Sequence, residues 1–230
     1  MRMMAVFQKG ETLRYIGHLD LMRTVQRCLR RSNLPVKYSN GFNPHIRLSF
    51  AAPLSVGVVG QRELMEVPVE DGVTEQQFVD AFNKVSPECL KIVHARCISD
   101  DFPTLMSLVA GSRYTIRLYA SAEADQAAEA FDRFMALDSY VATRRTKSGE
   151  NPCDIRPFIK EGSIQKTEDG YEIKLETITL DNGALKPSLW LESLCAFADC
   201  DKPHHIIYRD AILAQPKDGP LMPMEEYPHA

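Results

Sequence analysis

Apolar and polar positions in this chain follow two periods, and the switches between them mark its predicted elements. Met1–Gln8 holds the apolar run Met3 to Phe7, the pattern of a buried strand. Lys9-Gly10-Glu11 turns the chain, and Leu13–Ile16 is a short extension. From Gly17 to about Ser32 the period becomes helical, with Leu19, Met22, Val25 and Leu29 as the predicted buried stripe. Asn33 stops this helix and Pro35 prevents its return. Val36–Tyr38 reads as a short strand entering the turn cluster Ser39-Asn40-Gly41, where glycine takes positive φ without penalty. Phe42 and His45 bracket a second turn at Asn43-Pro44, and Ile46–Phe50 alternates as a strand. A further strand is predicted over Arg62–Glu70. Thr74 and Gln77 then form a capping-box signature for a helix over Glu75–Val85, followed by a strand over Leu90–Ile98.

Asp100 to Pro103 is a predicted boundary, and a short helical turn follows at Thr104–Val109. The pattern then repeats as a strand at Tyr114–Ala120, a helix at Ala122–Leu137 and a strand at Tyr140–Arg144. A loop over Lys147–Pro152 and a turn over Asp154–Ile159 lead to a hairpin of Ser163–Thr167 and Tyr171–Thr179. A helix over Pro187–Phe197 and a closing strand over His204–Ala214 complete it. The first set runs strand, helix, strand, strand, helix, strand, and the second repeats it less regularly. This order predicts an α+β fold of two tandem ferredoxin-like (split βαβ) units with antiparallel sheets, 1–101 and a less regular 102–214, plus a loose tail over 215–230. Sheets of this kind carry helices on one face, and the open face commonly receives nucleic acid.

Composition narrows the class. Apolar residues make up 44% and charged residues 25%, ordinary for a globular protein. No apolar run approaches the roughly 18 residues of a membrane helix, and the N-terminus lacks a signal-peptide pattern. The six cysteines show no paired spacing, so a reduced, cytoplasmic setting is expected. The net charge of −4 conceals an asymmetry: up to Arg62 ten basic residues face two acidic ones, a net +8, against −12 in the remainder. Arg23, Arg27, Arg30 and Arg31 gather on one side of the first helix. They suggest a local anionic partner, although Arg30 and Arg31 also suit the helix C-terminus.

Two histidines are the candidate catalytic groups, His18 at the helix start and His45 in the loop. Meeting there, they could transfer protons, hydrogen-bond a phosphate or base edge, or simply cap backbone groups. Ser39, Asn40, Phe42, Asn43, His45 and Arg47 join the four arginines as candidate nucleic-acid or anion contacts. Cys195, Cys200, His204 and His205 are metal-ligand types at a spacing that matches no standard zinc site, so no metal is expected. Arg144, Arg145 and Lys147 form a smaller basic cluster, read as a solvated loop. Phosphate-cradling, dinucleotide, nucleophile-elbow and kinase signatures are absent.

The runs Arg14 to Arg23 (RYIGHLDLMR), Arg30-Arg31, Tyr38 to His45 (YSNGFNPH) and Leu48-Ser49-Phe50 with Pro53-Leu54 and Gly57, and more weakly Cys153 to Phe158, resemble a family of uncharacterised bacterial proteins associated with radical SAM enzymes. The resemblance implies a partner encoded beside, or fused behind, a cobalamin-binding radical SAM protein. Gly17 stands where the family usually has Ser, and Ile46 where it often has Pro. No Cys-x3-Cys-x2-Cys motif is present, so no iron–sulfur cluster or other cofactor is expected in this chain. The leading expectation is an RNA-binding, substrate-recognition partner of a radical SAM enzyme. The alternatives are an RNA-processing or RNA-modifying enzyme using His18 and His45, and a protein-only scaffold.

Overall fold

The computed structural model describes residues 1–146, 149–181, 183–217 and 219–228. The fold is mixed α+β, with mostly antiparallel strands and five α-helices among the described residues. It forms two compact units, Met1–Val109 with Arg209–Ala230, and Ala110–Tyr208. The expected division at Asp101 and Ala214 is therefore displaced. Residues 102–108 and the C-terminal segment pack with the first unit, through contacts far apart in sequence.

The first unit runs β1 (Arg2–Lys9), α1 (His18–Arg31), β2 (Ser49–Phe50), β3 (Val58–Pro68), α2 (Glu75–Val85), β4 (Ile92–Ile98) and α3 (Leu105–Leu108). β1 lies between β3 and β4, antiparallel to both, with Ala5 opposite Met65 on one side and Ala95 on the other. Both faces of β1 are covered, which accounts for its unbroken apolar run. Met3, Ala5 and Phe7 face α1 and α2 with Leu21, Val25, Phe78 and Phe82. Met4 and Val6 face the opposite way, against Leu64, Phe102, Leu105, Ile212 and Met224. The capping box at Thr74 and Gln77 forms with both hydrogen bonds present. Asn33 ends α1 with a positive φ of 57°.

Several expectations are corrected. The buried stripe of α1 is Leu21, Val25, Cys28 and Leu29, while Leu19 is 63% exposed. Two apolar stripes with helical spacing were available, and the core selects the one rotated away from Leu19 and the arginines. Val36–Tyr38 and Ile46–Phe50 make only the single bridges Val36 to Val69 and Tyr38 to Ile46 and the two-residue β2. The C-terminal segment is tied down. β12 (Met222–Pro223) pairs with Leu213 and Ala214 of β11 (His205–Ala214), and Met224 is buried. Arg62 grips the Glu225 carboxylate at 2.6 and 2.8 Å, and Tyr227 packs edge-on against Phe102.

The second unit contains β5 (Val109–Tyr119), α4 (Ala122–Met135), β6 (Val141–Thr146), β7 (Gly149–Asp154), β8 (Ile159–Thr167), β9 (Gly170–Leu180), β10 (Gly183–Ala184) and α5 (Pro187–Phe197). β9 and β11 flank β5, and β8 and β10 pair with β9. α4 and α5 bring Phe131, Phe134 and Trp190 into edge-on ring contacts. Gly149–Pro152, expected as loop, instead pairs with β6 in a separate two-stranded ribbon. Pro152 is tolerated there opposite Thr143.

The face anticipated as open to nucleic acid differs between the two units. In the first unit that face is covered by Phe102, Leu105 and Met224. In the second it stays open to solvent, its exposed cations charge-paired: Arg113 and Lys160 both bind Glu176, and Arg117 lies 3.6 Å from Glu172. Burial pushes the pKa of Glu176 up, but its two cations reverse this and hold it below the usual value.

Candidate functional site

The segment entering α1 is held from beneath by a buried lysine. Lys9, at the end of β1, is fully buried and donates to the carbonyls of Arg14 at 3.1 Å, Ile16 at 3.3 Å and Val58 at 3.4 Å. Burial lowers its pKa, Glu63 partly restores it and Arg209 lowers it further. The Gly57 amide also donates to the Arg14 carbonyl, at 2.8 Å, from a positive φ of 87°. The Arg14-Tyr15-Ile16 run thereby acquires a fixed path, leaving Tyr15 69% exposed. The sequence signal for this support was a lone lysine closing an apolar strand, and local pattern alone did not reveal its role.

α1 then begins at His18 with Gly17 as N-cap and no side-chain cap. The His18 ring stands edge-on to Phe50 at 5.5 Å, partly buried, with Nδ1 shielded and unpartnered. His45 is exposed, its Nδ1 2.9 Å from Ser39 Oγ, and its backbone N–H donates to the same oxygen at 3.1 Å. No hydrogen bond or ring contact joins the two histidines among the described residues. The His18 ring packs inward against Phe50, while His45 secures a surface loop through Ser39.

That loop is closed at its base by the Tyr38 to Ile46 bridge and by Ser39 N–H donating to His45 O at 2.8 Å. Asn40, Gly41, Phe42, Asn43 and Pro44 form its exposed tip. Gly41 adopts a φ of 124°, which strains any residue with a Cβ. The Phe42 ring is fully exposed. Arg47, also exposed, follows the loop, with its amide bonded to Lys37 O at 3.0 Å.

Helix and loop meet where Gln26 Nε2 donates to Ile46 O at 3.5 Å. At about 100° per residue, Arg23 and Arg30 lie within roughly 60° of Gln26 around the helix axis, and Arg27 about 100° away. All four arginines are exposed. Arg23 bonds Asp20 at 3.1 Å, with both side chains 65% exposed, a pair that water screens strongly. Arg31 turns toward α2 and donates to Val85 O at 2.9 Å, capping that helix end. Arg27 and Arg30 have no carboxylate partner among the described residues, and with Thr24 and Arg31 they line a shallow pocket of about 410 Å³.

The remaining candidates lie elsewhere. Burial pushes the Cys195 thiol up to about 12, which disfavours a thiolate ligand. His204 stacks on Tyr119 at 4.6 Å, and His205 Nδ1 lies 2.8 Å from Pro203 O. No group of three or more metal-ligating side chains occurs among the described residues. Arg144 reaches Ala184 O at 3.3 Å, whereas Lys147 and the side chain of Arg145 lie outside the described residues. No helix of the described residues is long and apolar enough to cross a membrane.

The fold and this surface thus define a mixed α+β protein with an exposed arginine face beside an anchored, aromatic-tipped loop. A family model described as "uncharacterized protein conserved in bacteria (DUF2344)" matches residues 2–187, and the chain belongs to that family. A search of curated proteins found no match.

Proposed function

We propose that this chain is the RNA-binding, substrate-recognition partner of a radical SAM enzyme, acting in the cytoplasm in RNA modification. The observation that carries the RNA reading is that guanidinium groups of α1 and the Tyr38–Arg47 loop adjoin through Gln26 and Ile46, exposed and largely free of carboxylates. Cationic side chains on such a face neutralise phosphates, while the loop supplies an aromatic ring, two amides and an imidazole for bases or sugar. The radical SAM partnership rests on the motif resemblance in Arg14–Arg23 and Tyr38–His45. The finer fold reading, two split βαβ units, is supported by the strand orders β4-β1-β3-β2 and β11-β5-β9-β8.

The scaffold reading has one observation in its favour: Tyr15, Leu19 and Val56 are 69%, 63% and 60% exposed near the start of α1. Apolar groups in that position suit a protein partner. The two roles are compatible on adjoining surfaces.

Filter binding of a structured RNA over a salt series tests the reading. Three or four phosphate contacts predict a log–log slope of about −2 to −4. A salt-independent affinity, or no binding at low salt, would contradict it.

A further inference from the structure

The loop tip carries an aromatic ring that the fold itself does not use. We propose that Phe42 is a stacking platform for an unpaired base, so that RNA is engaged through a single-stranded or splayed-out segment. This inference rests on the RNA reading above and names the form of RNA that the same surface takes.

An isolated exposed apolar residue needs no special explanation. Phe42 differs in how it is held. Its exposure of 106% means that no neighbour covers either face of the ring. Yet the loop that bears it is pinned by the Tyr38 to Ile46 bridge and by three hydrogen bonds between Ser39 and His45. Gly41 turns the tip at a φ of 124°, with open space where a Cβ would stand. The ring is thus carried on a loop anchored at its base, which limits the ordering left to be done on binding.

Its neighbours select the ligand. Asn40 and Asn43 flank the ring with exposed amides, each offering donor and acceptor groups that match the edges of a base. Arg23 and Arg30 lie toward the loop side of α1, placed to hold the phosphates of the same strand. Base–aromatic stacking requires a free base face, which a duplex conceals in its own stack. A-form duplex would contact the arginines and leave the ring unused. A membrane surface would also attract the arginines, but inserting Phe42 would strip water from the two amides beside it without replacing their hydrogen bonds. The arrangement therefore favours unpaired RNA over both.

The test compares an unstructured RNA of roughly 12 nucleotides, carrying a fluorescent adenine analogue, with the same strand annealed to its complement and with anionic phosphatidylserine vesicles. The expected results are tighter binding of the single strand than the duplex, quenching of the analogue, and at least about fivefold weaker binding by Phe42→Ala. Phe42→Trp should retain affinity and quenching, and the salt slope should be unchanged in both variants. Because Phe42 makes no core contact, thermal melting should be the same for all three proteins. Equal affinity for duplex and single strand, or an unaffected Phe42→Ala beside a weakened Arg27→Ala/Arg30→Ala, would overturn the stacking role while leaving RNA binding intact. Binding to vesicles with none to either RNA would overturn both.

Discussion

Arg209→Ala is expected to destabilise the first unit by about 3–5 kcal/mol. Arg209 is 4% exposed and sits against Glu63, at 3%, with its Nε 2.8 Å from Glu63 Oε1 and a second contact through Nη2. It also donates to the carbonyls of Pro53 at 3.1 Å and Ala52 at 3.3 Å. Removing the guanidinium leaves a buried carboxylate and two carbonyls without these donors. The attraction between the two charges does not set the size of the effect, since much of it is offset by desolvation. The penalty comes from the group left behind. Urea denaturation followed by circular dichroism would show the fall in midpoint. The double variant Glu63→Leu/Arg209→Met, which removes both charges, should recover a large part of the loss. If Arg209→Ala unfolds at the wild-type midpoint, the pair is not the buried fixture described above. The same contacts hold Ala52 and Pro53 in the run that follows Phe50, so stability and the footing of the site are linked.

Arg27→Ala/Arg30→Ala should weaken RNA binding by about 15-fold near physiological salt and reduce the salt slope by about 1.4. Counterion release sets these magnitudes: each lost contact to a single strand removes about 0.7 from the slope, and two contacts compound at about 0.15 M salt. These two positions are chosen because Arg23 is shared with Asp20 and Arg31 caps α2, so replacing either would mix binding with helix stability. Both side chains are exposed, and folding should be unaffected. Filter binding at several salt concentrations measures both quantities. An unchanged slope would mean that these guanidinium groups touch no phosphate.

Local signals were legible from residues alone. The Thr74–Gln77 capping box marked the start of α2, and Pro187 that of α5. The runs Ser163–Thr167 and Tyr171–Thr179 marked the β8–β9 hairpin, where Gly170 stands at a φ of 141°. The solvent-facing arginines and the loop from Ser39 to His45 were also readable, because helical period and turn chemistry are written within a few residues. What escaped depends on partners distant in sequence. Which of two apolar stripes α1 buries is decided by β1 and α2, so Leu19 was misplaced. The cover over the second face of the first sheet comes from residues 102–108 and 222–227, which carry no periodic pattern of their own. Lys9 looked like a turn residue because its three carbonyl acceptors lie up to 49 residues away. His18 and His45 seemed a pair because both lie beside turns, and the packing of Phe50 against the His18 ring could not be read from spacing.

The central claim is that the arginine face of α1 and the Ser39–Arg47 loop form one binding surface. Photocrosslinking of a bound RNA substituted with a photoreactive uridine, followed by peptide mass spectrometry, tests it most directly. Adducts from a single RNA should fall both within Arg23–Arg31 and within Tyr38–Arg47. Adducts confined to Ala110–Tyr208, or to the residues around Glu225, would contradict it.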